Sequence, residues 1–135
     1  MISQIDHVGI AVNSLSAAIP LYRDILGLDY EGSQTTPDGQ SNVAFFKVGE
    51  VNLELLEPTG PDTPIGKFLA KRGEGVHHIC LRVDDIQTAR ETLSAKGLKL
   101  LDEQPREGAH HKLVSFFHPK TTGSVLLEIA ALAHH

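Results

Sequence analysis

The chain has 135 residues, 41% hydrophobic and 21% charged, with a formal net charge of −5 and a single cysteine, Cys80. That length suits one compact domain or two small modules sharing a core, and the composition is that of a soluble globular protein. The lone cysteine excludes an internal disulfide framework, the absence of a lysine–arginine block argues against an extended nucleic-acid surface, and no apolar run is long enough to span a bilayer.

The N-terminal MISQIDHVGI lacks the basic stretch and apolar core of a signal peptide, so a reducing, cytoplasmic setting is expected. Within it IDHVGIAV alternates, with Ile5, Val8, Ile10 and Val12 as its apolar members, and predicts a strand. NSLSAAIPLYRDILGL predicts a helix capped by Asn13, Ser14 or Ser16, with Ile19, Tyr22 and Leu26 at helical spacing and Gly27 as its stop. Pro20 is expected in the first turn of that helix, where a missing N–H costs little. TPDGQ (36–40) is a turn signal, and NVAFFKVGEVNLELLEP predicts two strands around a tight Gly49–Glu50 turn. Residues 61–75 predict a linker with a short helix, capped by Thr63 and with Pro64 at its first position.

The order then repeats. VHHICLRV predicts a strand, and DDIQTARETLSAKG a helix capped by Asp84 or Asp85 and stopped at Gly97. LKLLDE predicts a short strand, and KLVSFFHP and GSVLLEIAAL two more around PKTTG. His7 and His78 lie 71 residues apart, as do Phe45 and Phe116; Gly27 and Gly97 are 70 apart, and Glu54 and Glu128 are 74 apart. A repeat of that constancy is an organisational signal. The chain therefore predicts an α+β domain of two βαβββ modules, 1–60 and 76–131, joined by the 61–75 linker. His134 and His135 carry no weight.

Parity along the strands assigns faces. Val8, Ile10 and Val12 share one face and His7 takes the other; Leu53 and Leu55 oppose Glu54. In the second module Ile79, Leu81 and Val83 oppose His78, and Leu127 and Ile129 oppose Glu128. One rule covers all four: the aliphatic face lies under a helix, and the His or Glu looks the other way. Taken singly, a strand histidine is more often a satisfied core residue, and a mid-strand glutamate lies on a solvated face. Two His–Glu pairs repeated at similar separations are poorly explained as surface decoration. If the modules pair about a pseudo-twofold axis, their concave surfaces form a mixed-sheet cleft. His7, Glu54, His78 and Glu128 then converge on a divalent ion that accepts N and O ligands: cobalt, zinc, nickel, manganese or iron.

DHVGIAV (6–12), LELLEP (53–58), PIGKFLAKRGEGVHHI (64–79), LLDEQPREGAH (100–110) and FFHPKTTGSVLLEI (116–129) together resemble the vicinal-oxygen-chelate, glyoxalase-like superfamily. Within it, they resemble the methylmalonyl-CoA epimerase family. The resemblance covers nearly the whole chain. It implies a paired-βαβββ fold, a homodimer, a small-molecule acyl-CoA substrate, and inversion at C2 of methylmalonyl-CoA. It also implies proton abstraction through a metal-stabilised enolate, with His7, Glu54, His78 and Glu128 on the family's metal positions. Some of these epimerases carry a further glutamate near the start of the third strand, where this chain has Val43. Glu128 and Glu54 are then the candidate bases, one for each face of the inverted carbon. A glyoxalase I-like lactoylglutathione lyase would use a similar quartet; a metal-free small-molecule-binding member would lack it. Cys80 shares parity with His78 and can line the pocket, and Arg82 can neutralise a carboxylate. His110 and His111 fit a loop before a strand better than a substrate contact. Lys71, Arg72, Arg106, Lys112 and Lys120 are candidates for scattered phosphate contacts.

Overall fold

The computed structural model describes residues 1–133; His134 and His135 lie outside them. Eleven elements follow in order: β1 (Ile2–Ala11), α1 (Leu15–Pro20), β2 (Asp29–Thr35), β3 (Ser41–Val48), β4 (Val51–Pro58), α2 (Pro64–Arg72), β5 (Gly75–Val83), α3 (Ile86–Ala95), β6 (Arg106–Glu107), β7 (Lys112–Phe117) and β8 (Leu127–Leu132). This is the α+β class, with βαβββ order written twice. The chain divides into two compact units, His7–His77 and Met1–Asp6 together with everything from His78 onward. No helix among the described residues is long and apolar enough to cross a membrane.

In the first unit the strands run β2-β3-β4-β1, with β1 parallel to β4 and the others antiparallel. Val48 pairs with Val51 across a two-residue turn in which Gly49 takes φ +62°, a conformation open to glycine. Val12, Ala44, Phe46 and Leu55 form the core beneath α1, with Leu15, Ile19 and Tyr22 of the helical segment packed on it. The predicted faces are therefore the observed ones. Ser14 caps α1 by accepting the Ala17 N–H at 3.3 Å, and Glu57 accepts the Leu15 N–H at 2.8 Å.

Pro20 departs from expectation. It is the last residue of α1, not part of its first turn. Its missing N–H cannot continue the ladder, and the chain widens into a π-type turn over Leu21–Ile25, closed by the Leu26 N–H on the Leu21 carbonyl at 2.9 Å. The extra residue rotates the following positions out of register. Leu26, at helical spacing in the sequence, is exposed, and Leu28 packs on the core instead.

Thr63 caps α2 and Pro64 opens it, as expected. Gly66 faces the preceding loop so closely that a Cβ would stand 2.5 Å from the Gly60 carbonyl oxygen. That approach packs the first turn of α2 against the loop that joins it to β4.

In the second unit the order is β5-β8-β7-β6, with β5 parallel to β8. Val83, Ile86, Ala89, Phe117, Ile129 and Ala131 form its core, with Leu93, Leu98, Leu100 and Leu113 against it. The predicted LKLLDE strand is not formed as such: only Leu100 bridges to Phe117, and the strand in that place is β6, at Arg106–Glu107. Arg90 explains the change. Its buried guanidinium, reaching from α3, donates to the Asp102 and Glu103 carbonyls at 3.1 and 2.8 Å. It also bonds the Asp102 carboxylate at 2.6 Å and the Ser115 hydroxyl at 2.5 Å. Carbonyls taken by an arginine are lost to a strand ladder, so the chain leaves the sheet there and returns after Pro105.

Candidate active site

Each unit buries one histidine beside one glutamate. In the first, Glu54 on β4 lies between Gly9 of β1 and Phe45 of β3 in the strand register. His7 Nδ1 is 3.2 Å from Glu54 Oε2, and both side chains are 8% exposed. On the same face Val43, Phe45, Leu56 and Ala11 are all buried, and Asn52 pairs directly with His7.

The second unit repeats the arrangement. Glu128 on β8 lies between Cys80 of β5 and Phe116 of β7. His78 Nε2 is 3.1 Å from Glu128 Oε1, both side chains 7% exposed. Cys80 thus takes the place of Gly9, and Phe116 that of Phe45. The His78 ring meets the Phe116 ring edge-to-face, centroids 5.6 Å apart. Cys80 is fully buried and packs with Val114 and Ala130, as a small apolar residue would.

All four expected site residues are buried polar groups, and the structure brings them together as His7 with Glu54 and His78 with Glu128. The donor set suits a metal. Two neighbouring ligands of an octahedral ion, each about 2.1 Å from it, are about 3 Å apart. The two N···O separations match that edge. A soft, thiolate-preferring ion is disfavoured, since each pair offers imidazole and carboxylate only.

Asp6 was not anticipated. Its carboxylate is fully buried in the second unit and accepts from Arg82 Nε at 2.9 Å and from Lys112 Nζ at 2.9 and 2.8 Å. Arg82 therefore does neutralise a carboxylate, but an internal one, and Lys112 is committed to the same partner. The sequence carried a signal, a charged residue between the apolar members of a strand. His110 and His111 form the tip of the β6–β7 hairpin, both with positive φ (58° and 56°), and His111 is exposed. They occupy the expected loop.

Similarity to known proteins fits these details. The pattern of the Glyoxalase/Bleomycin resistance protein/Dioxygenase superfamily matches residues 6–116. The ethylmalonyl-CoA/methylmalonyl-CoA epimerase of Cereibacter sphaeroides is 41% identical over 96% of this chain and 98% of its own. The mitochondrial methylmalonyl-CoA epimerase of Homo sapiens is 40% identical over 95% of this chain and 73% of its own. A variant of the Streptomyces coelicolor methylmalonyl-CoA epimerase, solved with 2-nitronate-propionyl-CoA, superposes with a TM-score of 0.94. It is 34% identical and covers 99% of this chain and 100% of that one. The chain belongs to this superfamily and, within it, to the methylmalonyl-CoA epimerase family.

Proposed function

We propose that this chain epimerises C2 of methylmalonyl-CoA by removing the proton from one face and returning one to the other. The observation that carries the reading is the buried His–Glu pair present in each unit of a chain this similar to methylmalonyl-CoA epimerases. His7, Glu54, His78 and Glu128 would hold one divalent cation, which when bound supplies Lewis-acid polarisation of the substrate's thioester carbonyl. Glu54 and Glu128 each present a carboxylate oxygen able to take or return a proton, and two such groups are what inversion without release requires. Burial beside Phe45 and Phe116 limits water at the two carboxylates during the reaction, and the proton returned by the opposite carboxylate, which exchanges with solvent between turnovers, carries the solvent's isotope to C2. A homodimer working in a cytoplasmic setting belongs to the same reading.

The test is deuterium incorporation at C2 of methylmalonyl-CoA in heavy water, followed by NMR with metal-loaded protein. Incorporation that stops on chelation and returns with added divalent metal is expected. Absence of any incorporation by the loaded protein overturns the proposal. Turnover of a glutathione hemithioacetal in its place would favour the lyase, and stoichiometric ligand binding without metal would favour a binding protein.

A further inference from the structure

The second unit carries a cation that the chemistry above does not use. The Arg106 guanidinium carbon sits 5.7 Å from the centroid of the Phe116 ring. That ring in turn packs edge-to-face on His78, which meets Glu128. Arg106 is thus one aromatic ring away from a candidate metal ligand, on the same face of the sheet. Its side chain is 56% exposed, and among the described residues it makes no hydrogen bond; its ion-pair partner, Asp102, is 3.7 Å away. Asp102 is already bonded to buried Arg90 at 2.6 Å, so one carboxylate serves two guanidinium groups and the cluster keeps a positive charge. The other expected phosphate contacts compare poorly. Lys112 is bound to Asp6, and Arg72 stacks on Phe68, whose ring meets His77 rather than a ligand candidate.

We propose that Arg106 determines specificity at this site by binding an anionic oxygen group of the acyl-CoA, with Phe116 as the platform that holds it beside His78. A guanidinium lying over an aromatic face keeps its N–H edge free for a carboxylate or phosphate, and its planar fork suits two-point binding of either. It also offsets the repulsion between Glu128 and an incoming anion. Two groups of the substrate share this chemistry, the acyl carboxylate and the phosphates of the coenzyme. The inference rests on the acyl-CoA reading above.

The experiment compares the metal-loaded protein with its Arg106→Gln and Arg106→Lys variants. KM and kcat are measured on methylmalonyl-CoA and on methylmalonyl-pantetheine, which keeps the carboxylate and lacks the phosphates. Inhibition by free coenzyme A is measured alongside. For Arg106→Gln, KM for methylmalonyl-CoA is expected to rise roughly tenfold with kcat little changed, and the rise to shrink with added salt. Arg106→Lys recovers part of it. A rise on both substrates identifies the acyl carboxylate. A rise confined to the coenzyme A thioester, with weaker inhibition by free coenzyme A, identifies the phosphates. KM and inhibition within twofold of the parent in both variants would overturn the inference, as would a loss confined to kcat, since that marks a structural role for the Phe116 stack. A parent protein that neither exchanges C2 deuterium nor binds coenzyme A overturns the epimerase reading itself, whereas an active parent with indifferent variants removes only the role of Arg106.

Discussion

The two units bury the same pair of side chains in different surroundings. Around His7 and Glu54 the neighbours are Gly9, Val43, Phe45 and Leu56, and the fold is held by apolar packing under α1 and by caps at its start. The second unit adds two ionic networks, Asp6 with Arg82 and Lys112 on the face that carries His78 and Glu128, and Arg90 with Asp102 and Ser115 on the opposite face, under α3. The repeat has kept the polar pair in both units, while the buried ionic networks lie in the second. The difference teaches that the His–Glu pairs and the charged surroundings are separate layers. The former follow strand parity twice, and the latter are built once.

The largest test of the comparison is chemical. Glu128→Gln and Glu54→Gln are each expected to lower kcat by about 10²-fold or more, as loss of a positioned acid–base group does. Single-turnover exchange from each C2 epimer would show which face each carboxylate serves. Full turnover in both variants would remove the acid–base role from both carboxylates, and full turnover in one alone would break the equivalence of the two pairs. Next in size is Asp6→Asn. It leaves Arg82 and Lys112 facing each other with no anion between them and is expected to cost about 2–3 kcal/mol in urea unfolding. The estimate is kept below the usual range for breaking a buried pair because Arg82 is partly exposed.

Two substitutions in the first unit sharpen the contrast, because they act through packing and capping. Gly66→Ala places a methyl against the Gly60 carbonyl and is expected to cost about 1–3 kcal/mol, with little dependence on salt. Ser14→Ala removes the cap on α1 and is expected to cost about 1 kcal/mol, read as a lower melting temperature. Asp24→Asn should be the smallest. Arg23 hydrogen-bonds the Asp24 carboxylate and holds its pKa below the usual carboxylate range, but both groups are fully exposed. Whatever the pair contributes is present at neutral pH and lost as the pH falls through the Asp24 pKa. Thermal melts of the parent and variant should superpose at neutral pH within error.

Where the reading of the sequence succeeded, it used local rules. Period-two alternation gave most of the strands and their faces, and the 71-residue offset matched the βαβββ order written twice. Thr63 and Pro64 gave the start of α2. It failed where a residue's effect depends on a distant partner. The LKLLDE segment has the composition of a strand, yet Arg90, on a helix, takes the carbonyls of Asp102 and Glu103, twelve and thirteen residues further on. Leu26 has helical spacing, yet the wide turn after Pro20 shifts it outward. No rule of alternation describes β2 well, since Tyr30 and Phe46 stack across it at 5.2 Å while the pairing slips between Tyr30 and Ser33.

By itself the sequence determined which side chains lie on which face and that His–Glu pairs occur twice, because a strand's side-chain period is two and a repeat preserves it. Only the tertiary structure decided that Asp6 belongs with Arg82 and Lys112, and that Arg106 lies over Phe116. Those contacts join residues up to 106 positions apart, and the attraction between charges depends on distance in space, which no local pattern encodes.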